Sequence, residues 1–366
     1  MNASTKRNAV TMTANFSWLL CAVAWWFEPQ AFLPAYLAVW WFWIGIAMGG
    51  LANVWLHNLT GGAWGEAIRT PLLEIGGSIW VGCLLFFPVL AALWFLYPWA
   101  PHAVSGTTRW AGELSAADFK SVWLLPPFFI LRSILYLVTW SILGILSRRP
   151  ALRRSPSFSS AALIIYGVTV SLAAFDWIMS LMPLWYSSIF GMVAGTTQMM
   201  SGMVMAIVLA AFQAARPPPS IFRDLGNLLM MYVLTWAYLA FMQFLIIWAE
   251  NLPHEIAWYV PRLQSGWIVV AWMLVLLLFF VPLLMLLSRP FKQSAQRLGW
   301  LAVGLLIMLL IDACWMVLPS TAVASIQWLW SVPLALIALS LAALAVWRAR
   351  RSLPSVSNAG KEQSHV

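Results

Sequence analysis

The chain has 366 residues, of which 63% are hydrophobic and only 8% charged, with a formal net charge of +9. Soluble domains carry about 25% charged residues, so these proportions exclude a soluble enzyme or a nucleic-acid-binding module. They point to an all-α integral membrane protein. The basic residues sit in short clusters between apolar runs, and the 26 Trp residues suit belts at the two membrane surfaces.

About 20 apolar residues cross a bilayer as a helix. Ten stretches qualify, at about 9–27, 32–56, 71–97, 122–147, 160–182, 185–212, 223–249, 263–288, 295–318 and 325–347. Thr11, Thr13, Asn15 and Ser17 dilute the first. It is rich in Trp and lacks a small-x-small cleavage site before Glu28, so it reads as a retained helix rather than a signal peptide. Ten spans place both termini on one side, with Lys6, Arg7, Arg69, the clusters at 148–154, 216–223, 289–297 and 348–351, and Lys361. Only Arg109, Lys120 and Arg262 fall on the other. The positive-inside rule therefore makes both termini cytoplasmic. The longest outer segments are about 98–121, with His102, Arg109, Glu113, Asp118 and Lys120, and 250–262, "ENLPHEIAWYVPR". They are the expected docking sites for outer-face partners. Residues 1–351 form one transmembrane domain, and 352–366 read as a disordered cytoplasmic tail.

A faint repeat runs through the spans. "DWIMSLMP" (Asp176–Pro183) matches "DACWMVLP" (Asp312–Pro319), and "LSRRP" (Leu146–Pro150) matches "LSRP" (Leu287–Pro290). Both offsets are near 140 residues, or four helices. Spans 2–5 (about 32–182) and 6–9 (about 185–318) are then two four-helix bundles of the same orientation, flanked by the first and last helices.

A charge at the bilayer centre costs roughly 2.5–3.5 kcal/mol on insertion scales, so each one needs a reason. Arg132, about ten residues into span 4, and Asp176, about seven from the outer end of span 5, lie at matched depth on adjacent antiparallel helices. They are expected to pair, either as a structural ion pair that fixes register or as a titrating site on a proton path. Asp312 has a similar outer depth and no evident cation near it in sequence. Desolvation favours its neutral form, which suits a proton carrier or a protonated acid bonded to a carbonyl or hydroxyl. On the inner side stand His57 at the end of span 2, Glu74 one turn into span 3 and Asp224 opening span 7. The acids fit helix first turns, or the three together line a cytoplasmic mouth. Tyr136, Tyr166 and Gln198 are candidates for a wire through mid-membrane.

Cys21, Cys83 and Cys314 lie in apolar runs with no CxxC pair, and no histidine sits deep enough in a span for a haem b. No metal ligand set is evident. Gly45-xxx-Gly49 and Gly191-xxx-Gly195 read as close helix contacts.

Three stretches resemble one family. "LHNLTGGAWG" (Leu56–Gly65), "FDWIMSLMPLWYSSIFG" (Phe175–Gly191) and "QFLIIWAENLPHEIAWY" (Gln243–Tyr259) look like the smaller quinol-side membrane subunit, ActF, of bacterial alternative complex III. That subunit belongs with the NrfD and polysulphide-reductase membrane anchors. The likeness covers roughly residues 16–320. It implies ten helices in two four-helix bundles, in the bacterial inner membrane. It implies a larger NrfD-like sister subunit, a periplasmic iron–sulfur subunit and c-type cytochrome subunits as partners. The complex oxidises quinol and passes electrons to cytochrome c or a terminal oxidase, with the haem c and iron–sulfur clusters in those partners and none bound by this chain. One departure is Asn58, where the family pattern has a second histidine before "LTGG". Only His57 is carried over.

The reading is a scaffold and proton-conduit subunit of a quinol oxidoreductase. The rival is a stand-alone secondary transporter with a repeated bundle, which would show helices broken at corresponding places in the two repeats.

Overall fold

The computed structural model describes residues 18–101, 117–321 and 327–351. Lys6, Arg7, most of the predicted 98–121 segment and the tail 352–366 lie outside the described residues. Within them, all regular structure is helical and no strand occurs. Among the described residues, nine helices are long and apolar enough to cross a membrane. The described part of the predicted first span is one shorter helix, α1 (Trp18–Phe27). It precedes α2 (Pro29–Thr60), α3 (Ala63–Ala91), α4 (Pro126–Leu146), α5 (Pro156–Trp177), α6 (Phe190–Phe212), α7 (Pro219–Glu250), α8 (Trp267–Leu287), α9 (Ala295–Val317) and α10 (Trp328–Arg351). The chain is a multi-pass, all-α membrane protein.

The helix ends follow local chemistry. Pro opens α2, α4, α5 and α7, where its missing N–H costs nothing. The Ser155 and Ser294 hydroxyls cap α5 and α9 by accepting from Phe158 N and Arg297 N. α2 stops at Gly61 and Gly62, with φ of 73° and 100°, values that favour glycine. α7 ends at Asn251 in the left-handed region, φ 52°.

α2 lies at the centre, with 94% of its membrane-crossing stretch buried, and packs against α3, α5, α6, α9 and α10. α6 is its main partner and also contacts α5, α7 and α9. α8 is the most hydropathic helix and the least buried, at 17%. Lipid tails are as apolar as a protein core, so apolarity marks the outside of this molecule. Its centre is marked by small residues that let backbones approach. A Cβ on Gly49 would lie 1.7 Å from the Gln198 carbonyl oxygen, and one on Gly202 would lie 2.2 Å from Gly50 N. The α2–α6 crossing therefore needs both glycines. Gly191 likewise admits Ser171 of α5, whose Cβ would be 2.6 Å away.

One expectation changes. The tryptophans do more than form belts, because Trp40, Trp41, Trp55, Trp99, Trp140, Trp177 and Trp185 are fully buried. Trp177 packs edge-on or tilted against Trp40, Trp41, Phe86, Tyr136 and Trp140, and it donates to Ser133 Oγ at 2.9 Å. Two helices are also interrupted. α3 breaks at Gly77–Ser78 and again at Leu85–Phe86, and α8 is π-helical over Leu274–Phe280.

Candidate functional site: buried polar groups at three depths

Arg132 and Asp176 form the pair expected from their depths. Arg132 donates through Nε to Asp176 Oδ2 and through Nη2 to Oδ1, both at 2.9 Å. Trp123 Nε1 adds a bond to Oδ1 at 2.8 Å and the Tyr136 hydroxyl one to Oδ2 at 3.0 Å. The guanidinium lies over the Trp123 ring, 3.9 Å from its centroid. Asp176 is fully buried, and its two oxygens accept four donors, which answers the cost of burying a carboxylate. The estimated depths need correction. α4 begins at Pro126 and α5 ends at Trp177, so Arg132 stands about 9 Å from the outer end of its helix rather than near mid-membrane. Both ends were placed about four residues too far out, and the shared error kept the pairing intact.

Asp312 lies five residues before the end of α9, 3% exposed, and its Oδ2 has no hydrogen-bond partner among the described residues. A cation does approach this helix end, from a residue assigned to the outer loop. Arg262 is fully buried and donates to the Trp258, Trp315 and Met316 carbonyls and to Ser320 Oγ, at 2.6–3.2 Å. Its guanidinium stacks 3.6 Å from the Trp258 centroid. Arg262 thus satisfies carbonyls at the negative end of α9, one turn beyond Asp312, and leaves the acid alone. An arginine before a helical run reads as a loop residue in sequence. Only the neighbouring Trp258 hinted at a stacking partner.

The inner cluster explains the "LHNLTGGAWG" stretch. Arg69 Nη2 donates to His57 Nδ1 at 2.8 Å, so the imidazole carries its proton on Nε2 and gives it to the Gly62 carbonyl at 2.7 Å. Arg69 also bonds Arg153 O at 3.0 Å and Glu66 at 3.3 Å, and Glu66 takes two bonds from Arg154. Asn58 donates to Arg153 O at 3.1 Å and to Ser159 Oγ at 2.8 Å. A Cβ on Gly65 would fall 2.0 Å from the His57 ring. His57, Asn58, Gly62 and Gly65 of the stretch therefore tie the end of α2 to the start of α3 and the α4–α5 connection.

Glu74 and Asp224 are not in helix first turns. α3 begins at Ala63 and runs through Pro71, so Glu74 is twelve residues in and half-buried. α7 begins at Pro219, and Asp224 faces its neighbour Arg223 at 3.4 Å. Because both His57 nitrogens are engaged elsewhere, His57 and Asp224 share no network.

Between these levels lie two polar pairs. The Tyr166 hydroxyl donates to Gln198 Oε1 at 3.2 Å, and Gln198 Nε2 has no partner among the described residues. The Tyr232 hydroxyl donates to Asn53 Oδ1 at 2.8 Å, while Asn53 Nδ2 bonds the Gly49 and Met199 carbonyls. Asn53 and Tyr232 were missed in the sequence because each stands singly in an apolar run. Among the described residues no group of His, Cys, Asp and Glu is placed to hold a metal, and all three cysteines are free thiols.

No family model and no curated protein matches the chain.

Proposed function

We propose that this chain is an integral subunit of a quinol:cytochrome c or quinol:terminal-oxidase complex, a membrane scaffold that also carries protons. Asp312 is the observation behind this reading. A carboxylate sealed in a membrane helix, with one oxygen lacking a partner, has room to accept and release a proton. Tyr166–Gln198 and Tyr232–Asn53 supply hydroxyl and amide steps toward the inner face. Waters would complete the path, since these pairs are joined internally and not to one another.

In this reading the other charged candidates hold structure. Arg132–Asp176 fixes α4 against α5, and the His57–Arg69 cluster fixes the inner end. Glu74 and Asp224 belong to that inner surface. The helices form two four-helix bundles over spans 2–5 and 6–9 in the bacterial inner membrane, with cytoplasmic termini. The outer loops dock the iron–sulfur and c-type cytochrome subunits, and the helices around the buried α2 contact the larger sister and lipid. Electrons pass through the partners' cofactors, and quinol meets the complex from the membrane.

The secondary-transporter reading gains one observation, the interruptions in α3 and α8. They do not correspond in a four-helix repeat, where α3 would match the unbroken α7. Purification of the tagged chain from native membranes separates the two. Co-migration with haem c and iron–sulfur subunits is the expected result. An isolated chain whose proteoliposomes show substrate-dependent flux would establish the transporter instead.

A further inference from the structure

α3 and α4 touch where Gly144 meets the Gly76 carbonyl and Ile79. A Cβ on Gly144 would come within 2.8 Å of that oxygen. Directly beside this contact α3 is interrupted by a turn at Gly77–Ser78, where Ser78 N bonds Ile75 O, and a cleft of about 460 Å³ opens, lined by Gly77, Trp80, Ile145 and Arg148. Its walls differ in chemistry. Trp80 and Ile145 are 43% and 51% exposed on the lipid-facing surface. Arg148 closes the cleft just past the end of α4 and makes no side-chain hydrogen bond or ion pair with any described residue. Arg149 beside it is exposed and equally unpartnered, and Arg153 adds a third exposed guanidinium. The acid nearest the cleft in sequence is Glu74.

Depth fixes what meets this cleft. Arg148 stands 22 residues from Pro126, so about 33 Å of helix separates it from the other end of the span, one hydrocarbon thickness. Its guanidinium therefore lies at headgroup level, while Trp80 and Ile145 lie beside the upper acyl chain. Trp at that level is where an indole finds both apolar and polar surroundings. A concave site with apolar walls and unneutralised arginines at one rim matches a molecule with a hydrocarbon chain and a phosphate.

We propose that this cleft binds an anionic phospholipid, its phosphate held by Arg148 and Arg149 and its chain laid along Trp80 and Ile145. Bound there, the lipid fills the break in α3 and bridges it to α4.

The test is native mass spectrometry of the full-length chain, released from detergent after equilibration with phosphatidylglycerol or phosphatidylcholine. The wild type is expected to retain phosphatidylglycerol in preference. Arg148→Gln and Arg149→Gln should each lower that retention about fivefold, following about 1 kcal/mol per basic residue at a membrane surface. Arg148→Lys should keep most of it. Arg216→Gln removes an equally exposed arginine away from the cleft and should change nothing. Trp80→Ala should weaken retention of both lipids. Equal retention of the two lipids by the wild type, or equal loss in Arg216→Gln, would reduce the effect to diffuse surface charge and overturn the site. Displacement of phosphatidylglycerol by millimolar inorganic phosphate would show an anion site with no lipid specificity, and would also overturn it.

Discussion

Asp176 and Asp312 are the same residue type near the ends of α5 and α9, one and five residues before them, yet their surroundings differ completely. Asp176 accepts four donors, and Asp312 has an oxygen with none among the described residues. The consequences of removing each charge should differ in kind. Breaking a buried pair by removing one partner costs about 3–5 kcal/mol. Asp176→Asn should therefore lower the thermal unfolding midpoint in detergent sharply. Adding Arg132→Gln should recover part of the loss, because no unpaired guanidinium is left behind. A double variant no more stable than Asp176→Asn would mean that Trp123 and Tyr136, not Arg132, hold the acid in place. Asp312→Asn exchanges one buried polar group for another and should leave the folded yield unchanged. In reconstituted vesicles of the assembled complex it should reduce proton uptake per electron. Full uptake with normal assembly would assign Asp312 to structure alone. Arg132 and Asp176 were legible in sequence because each was costly and their depths matched. Arg262 was not, because its partners are backbone carbonyls, which every residue possesses.

Among the elements, α2 is held by what it lacks. At Gly49 the obstacle to a side chain is the Gln198 backbone, which cannot rotate away. Gly49→Ala should cost about 1–3 kcal/mol, the range for overpacking a tight contact, read as a lower unfolding midpoint. Gly167→Ala is the control. It lies within α5 with nothing within 4 Å of its Cβ, so it should be neutral or stabilise by roughly 0.5–1 kcal/mol. If both variants behave alike, helix propensity and not the α2–α6 crossing governs these positions. Helix existence was readable from apolar runs of sufficient length, and most ends fell within a few residues of Pro, Ser or Gly signals. The start of α3 was missed by eight residues, because Glu66, Arg69 and Pro71 broke the apolar run. In the fold Glu66 and Arg69 are absorbed by the His57 cluster. The interruption of α8 left no trace, since a π-turn changes hydrogen-bond spacing without changing composition.

Over the whole molecule, orientation rests on the distribution of arginines. Cysteine placed at position 254, where the His254 side chain is 48% exposed, should react with a membrane-impermeant maleimide added outside intact cells. Cysteine placed at the exposed position 214 should react only after permeabilisation. The native thiols are buried and give a low background. The reverse pattern would invert the topology and remove the argument for outer-face docking. Composition and the length of the apolar runs determined that the chain lives in lipid as a set of helices, because a backbone in hydrocarbon must satisfy its own hydrogen bonds and a run of about 20 apolar residues does so as a helix. They determined the approximate spans for the same reason. Which helix lies at the centre was decided only by tertiary packing, because lipid and core reward the same apolar surface. The most hydropathic helix, α8, therefore ended outside, and α2 ended inside by virtue of its glycines. The structure likewise decided which buried charge is satisfied, since carbonyls and indoles that answer a guanidinium are set in place by the fold and carry no mark in the sequence.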